Sequence, residues 1–184
     1  MSDMPYVVAL EFTVVQDLLN DGEEPRPYVL GWRGNDAPAF HGVSDSEVGF
    51  EWLLRACGAA GCGVALVMLP VVSRVLRVPT ELAEAEVDLY LKSVVGDPRN
   101  DPLMQEAVLV HLLSRWRAPE RWTAVVHRAD DGSQHLCQPI RTDVSIQGNV
   151  MEHDFGQAIR DPGMPLATTV AFARASGCYV GLQE

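Results

Sequence analysis

The chain has 184 residues, 47% of them hydrophobic and 21% charged, with a formal net charge of −11. That length and composition exclude pervasive disorder and fit a single globular domain over residues 1–184 with a core of its own. The negative balance argues against nucleic-acid binding through phosphates, and the longest apolar run, 63–72, is too short for a membrane span and contains Pro70.

Residues 5–15 are rich in Val and Phe and predict a strand, with 28–33 as its hairpin partner across the turn at Asp21-Gly22-Glu23-Glu24-Pro25. Residues 34–42 read as loop. Ser44 and Glu47 have capping-box spacing at the start of a helix whose apolar face is Phe50, Leu53, Leu54 and Cys57, and Gly58 and Gly61 end it. Residues 64–69 then predict a buried strand closed by Pro70.

Thr80 opens a predicted helix to about residue 95, stopped by Gly96-Asp97-Pro98. Asp101-Pro102 is a second start signal, and Met104, Val108, Leu109, Leu112, Leu113 and Trp116 predict a helix face. Residues 122–128 and 133–138 flank Asp130-Asp131-Gly132 and predict a hairpin, which a strand at 143–146 could extend. A helix is expected at 152–160, another at 167–175 with Gly177 as its cap, and a final strand at 178–182. The mixture predicts an α+β fold: a mostly antiparallel sheet with four to five helices packed on one face. Residues 54–64 and 173–180 echo each other weakly, each as helix, Gly-Cys, strand.

No motif reaches the specificity of a phosphate loop, a metal site or a catalytic triad. The glycine cluster 58–63 follows a helix, whereas a phosphate loop precedes one, so it reads as a helix-to-strand connection. Cys57 and Cys62 lie five apart without a second pair, unlike zinc ligands, and read as reduced core thiols, with redox pairing and metal binding as the minor alternatives. His135 and Cys137 share a strand face, yet sit too far apart for direct hydrogen bonding. Glu152-His153-Asp154 holds three potential ligands that radiate apart, His41 reads as an isolated polar residue in a loop, and His111 as a boundary position on the predicted helix. The basic stretch Arg115, Arg117 and Arg121, interleaved with Trp116 and Trp122, could join Arg128 and Arg141 to receive an anion. Pairing with the acidic N-terminal third is at least as good an account. No metal and no cofactor is expected.

Charge placement is the strongest functional signal. The first fifty residues carry nine carboxylates against Arg26 and Arg33. This predicts a binding or regulatory protein that docks a basic protein partner, in the manner of inhibitors or immunity proteins, through Glu11, Asp17, Asp21, Glu23, Glu24 and Asp36. One alternative is a small hydrolase or transferase with a site assembled from His135, Cys137, His41 and Glu152. A second is an oligomeric structural subunit joined through exposed tryptophans. Residues 1–12 lack a basic stretch and a long apolar run, so no secretory signal is expected, and the cytoplasm is the expected compartment.

Overall fold

A computed structural model describes residues 4–34, 37–44, 46–71, 106–129, 131–142 and 156–183. In chain order the elements are α1 (Tyr6–Asn20), β1 (Tyr28–Trp32), β2 (Phe40–Val43), α2 (Glu47–Ala59), β3 (Val64–Val71), β4 (Ala107–Ser114), β5 (Glu120–Arg128), β6 (Gln134–Leu136), β7 (Ile140–Thr142), α3 (Leu166–Ala175) and β8 (Tyr179–Leu182). Residues 156–160 are also helical. The eight strands form one sheet in the order β6-β5-β4-β3-β1-β2-β8. β7 shares the outer edge of β5 with β6. Every pairing is antiparallel, so the fold is α+β, as expected.

β3 lies at the centre and explains the layering. Its near-continuous apolar run is that of a strand buried on both sides. Leu66 and Met68 enter one core, while Ala65 and Val67 enter the other. The first core is roofed by α1, whose Val8, Phe12, Val15 and Leu19 pack on Leu66, Met68, Val108, Val110 and Trp122. The second is roofed by α2 and α3, which set Leu53, Leu54 and Ala173 over Val29, Phe40, Val67 and Val180. The helices therefore cover both faces of the sheet, with α2 and α3 together on one and α1 on the other. α2 lies so close to β2 that a side chain at Gly42 would overlap Leu53. Trp52 and Phe172 stack at 4.6 Å and tie α2 to α3.

Three segments differ in kind from the expectation, the first being 34–42, read as loop, whose end forms strand β2 between β1 and β8. Residues 5–15 are not a strand but most of α1. Val8, Phe12, Val15 and Leu19 recur at helical spacing, and burial of that stripe outweighs the strand preference of Val and Phe. The helix expected after Asp101-Pro102 is instead strand β4 over its described part. Its apolar run is buried on both sides, which suits a central strand as well as a helix face. The predicted first hairpin is replaced by the pairing of β1 with β2.

Elsewhere the local signals hold. α2 begins two residues later than the capping box suggested: Ser46, not Ser44, is the cap, and its Oγ accepts from the Gly49 N–H at 3.0 Å. Pro70 sits inside β3 but beyond the last residue paired with β1, where its missing N–H costs no ladder bond on that side. The β5–β6 hairpin turns through Gly132 at φ +85°, with Asp131 Oδ1 accepting from the Ser133 N–H and hydroxyl. The helix expected to begin at Thr80, the strand expected at 143–146 and the triplet Glu152-His153-Asp154 lie outside the described residues.

Candidate functional site

α1 presents two distinct faces. At about 100° per residue, Tyr6, Leu10, Val14, Asp17 and Asp21 all project within a sector of about 80°. That sector points away from the sheet. Tyr6 is 81% exposed, Leu10 48% and Val14 43%. Asp17 and Asp21 are exposed as well, followed by exposed Glu23 and Glu24 in the loop. The outer face is thus an apolar stripe running into four carboxylates, about 22 Å from Tyr6 to Asp21. Among the described residues none of the four carboxylates has an ion-pair partner. They crowd the negative end of the helix, whose last turn carries no basic residue. Beneath that loop a groove of about 110 Å³ opens, lined by Leu19, Glu24, Pro25, Pro70, Val108 and Arg128.

Glu11 does not belong to this rim. It is only 5% exposed and lies on the inner side of α1, with Oε1 buried and without a partner among the described residues. Burial pushes its carboxyl up to about 7. Asp36 lies outside the described residues.

The residues proposed for an assembled enzyme site are not brought together. His135 on β6 and His41 on β2 are separated by β5, β4, β3 and β1, about 24 Å at ordinary strand spacing. His41 is exposed between the rings of Tyr28 and Tyr179. His135 instead meets His127 directly across the hairpin, with ring centroids 4.7 Å apart. Cys137 is exposed and shares their face, two residues along from His135. Glu152 lies outside the described residues. No group of three or more His, Cys, Asp or Glu among the described residues could hold a metal ion.

The arginines disperse. Arg115 donates to the Gly58 carbonyl, Arg128 pairs with Glu106 at 2.7 Å, and Arg141 approaches Glu120 at 3.8 Å. None of these three partners is a carboxylate of the first fifty residues. Trp122 is buried under α1, Trp32 and Trp52 are half-buried, and only Trp116 is freely exposed, so the tryptophans form no common patch. His111, expected on a helix boundary, is buried in β4 between Val67 and Arg121.

A third cluster is the pair Cys57 and Cys62, read from the sequence first as reduced core thiols and second as a redox pair or metal site. α2 ends in a Schellman motif: Cys62 N–H donates to the Cys57 carbonyl at 3.2 Å, Gly61 N–H to the Gly58 carbonyl at 3.0 Å, and Gly61 takes φ +82°. This cap brings together the side chains three residues before its end and two residues past it. In α2 both are cysteines. α3 closes in the same way through Gly177, joining Ala173 to Cys178, which accounts for the echo between 54–64 and 173–180.

Cys57 and Cys62 are fully buried and share a hydrogen bond. That bond lowers the Cys62 thiol below its ordinary range, and the charges of Arg33 and Arg115 add to it against the opposing effect of burial. The same bond, with burial, raises the Cys57 thiol well above its ordinary range. Arg33 Nε and Arg115 Nη2 are held there by the Ala60 and Gly58 carbonyls.

No known protein family matches the chain, and no curated protein or solved structure is significantly similar to it. Among the described residues no helix is long and apolar enough to cross a membrane.

Proposed function

We propose that the protein is a cytoplasmic binding or regulatory protein that docks a basic protein partner, of the inhibitor or immunity type, on the outer face of α1. The observation that supports this most is the composite stripe: Tyr6, Leu10 and Val14 exposed in line with Asp17 and Asp21. An amphipathic cationic segment fits such a surface, with apolar side chains on the stripe and Lys or Arg at its acidic end. The groove next to Glu24 offers a place for one inserted side chain. Carboxylates at a helix C-terminus disfavour the fold, so their concentration there is better explained by a partner than by stability.

The test is affinity capture from the host lysate at low salt. Wild-type protein is compared with a variant carrying Asp17→Lys, Asp21→Lys and Glu23→Lys, and with Leu10→Ser. A stoichiometric basic protein retained by the wild type, released by salt and lost with both variants is the expected result. Identical captured sets for all three proteins would overturn the reading.

A further inference from the structure

We propose that Cys57 and Cys62 form a peroxide-reactive dithiol that closes to an intramolecular disulfide across the C-cap of α2. The inference is independent of the docking face, which lies on the other side of the sheet.

Four observations carry it. The Schellman cap holds the two backbones together through the Cys62 N–H to Cys57 carbonyl bond, within the reach a disulfide needs. Both sulfurs lie over the α-carbon of Gly31, where any side chain would overlap them, so the floor of the site is built to admit both. Arg33 and Arg115 bring two guanidinium charges to the pair, and Arg115 Nε stays buried without an acceptor among the described residues. Cationic surroundings favour the thiolate, which is the reactive form. Finally, the two thiols are unequal. Cys62 is the one favoured as thiolate, and Cys57 is held as the thiol that donates to it.

The chemistry balances with a peroxide as oxidant. The Cys62 thiolate attacks one peroxide oxygen, and the O–O bond breaks. The departing hydroxide takes up the proton that Cys62 released and leaves as water, so Cys62 becomes a sulfenic acid. Cys57 Sγ then attacks Cys62 Sγ. The S–O bond breaks, and hydroxide leaves with the proton from Cys57 as a second water. Two thiols lose two electrons, and hydrogen peroxide is reduced to two waters.

The remaining cysteines do not compete. Cys178 sits against Gly49 in the first turn of α2, eight residues before Cys57 and so about 12 Å away along the helix. Cys137 is exposed at the hairpin edge. Because neither sulfur of the pair is solvent-exposed, entry of peroxide requires opening of the cap at Gly61.

The experiment uses the full chain with the exposed thiol removed, Cys137→Ser. The protein is treated with hydrogen peroxide and digested with trypsin, which releases both cysteines in one peptide, residues 56–74. Expected is loss of two hydrogen masses from that peptide and resistance to alkylation until reduced, while Cys178 stays alkylatable after unfolding. With Cys57→Ser added, dimedone should trap a sulfenic acid at Cys62; with Cys62→Ser, Cys57 should stay a thiol. Gly61→Ala, which strains the cap, should speed oxidation severalfold. A peptide that keeps both thiols, or a sulfenic acid that forms on Cys57 as readily as on Cys62, would overturn the proposal. The first readout needs no substitution in the core and so does not depend on whether the buried variants fold.

Discussion

Glu11→Gln should flatten the pH dependence of stability. Glu11 is enclosed on the inner side of α1 with one carboxylate oxygen unpartnered among the described residues, and its carboxyl is raised from 4.5 to about 7. Proton affinity is therefore higher in the folded chain than in the unfolded one. The stabilisation that follows is fully present below the unfolded value and is lost as pH rises through about 7. Each tenfold change in proton affinity is worth about 1.4 kcal/mol, so the wild type should lose about 2 to 3 kcal/mol between pH 5 and pH 8 through this one group. That is a large share of the stability of an ordinary domain, about 5–15 kcal/mol.

Urea denaturation of both proteins at about pH 5 and about pH 8 measures the effect. Gln keeps the shape of Glu but cannot ionise, and it buries an amide that needs partners. The variant can therefore start less stable at the lower pH, by about 1–3 kcal/mol. That offset is common to both pH values and cancels in the comparison. What remains is the difference in slope. If it came out below about 0.5 kcal/mol, Glu11 would not be titrating in a desolvated site, and the placement of α1 on the sheet would be wrong.

Gly31→Ala should destabilise by about 1–3 kcal/mol, because the added methyl overlaps both sulfurs under α2; equilibrium unfolding reads it. Leu54→Ala, fully buried beneath α2, should cost about 2–5 kcal/mol in the same assay. Asp17→Asn and Asp21→Asn should each raise the melting temperature, since each removes a carboxylate from the negative end of α1 worth about 0.3–1 kcal/mol. A fall in melting temperature would mean that these groups have stabilising partners.

Legibility in the sequence followed how local the deciding interaction is. α2, the β5–β6 hairpin, α3 and β8 were readable because Gly61, Gly132 and Gly177 specify their own ends and turns within a few residues. α1 and β4 were not, for opposite reasons. In α1 the Val- and Phe-rich composition favoured a strand, while the partners that make it a helix, Leu66, Met68 and Trp122, lie more than forty residues away. In β4 the run Val108, Leu109, Leu112 and Leu113 satisfies helical spacing. Only its pairing with β3 and β5 makes it a strand. The dithiol shows a third kind of gap. Five residues is an uninformative spacing for zinc, but it is the separation that a Schellman cap closes when Gly stands just before the second residue. Cys57, Gly61 and Cys62 carried that signal without any knowledge of the fold.

The departures from local consistency collect on α1. Its N-terminus has no side-chain cap, its C-terminus gathers acids where bases belong, its inner side buries a carboxyl, and its outer side leaves Tyr6, Leu10 and Val14 in water. α2, by contrast, has a Ser cap, a Glu51–Arg55 pair at 2.8 Å along its surface and a closed Schellman end. A helix held by the stripe Val8, Phe12, Val15 and Leu19, and by Gln16 bonded to the β6 backbone, could carry better residues on its outer face without disturbing those contacts. The carboxylates and exposed apolar groups weaken it and contribute nothing to the core. Selection for stability alone would have replaced them, so the outer face of α1, and not the histidines spread across the sheet, is where a partner should first be sought.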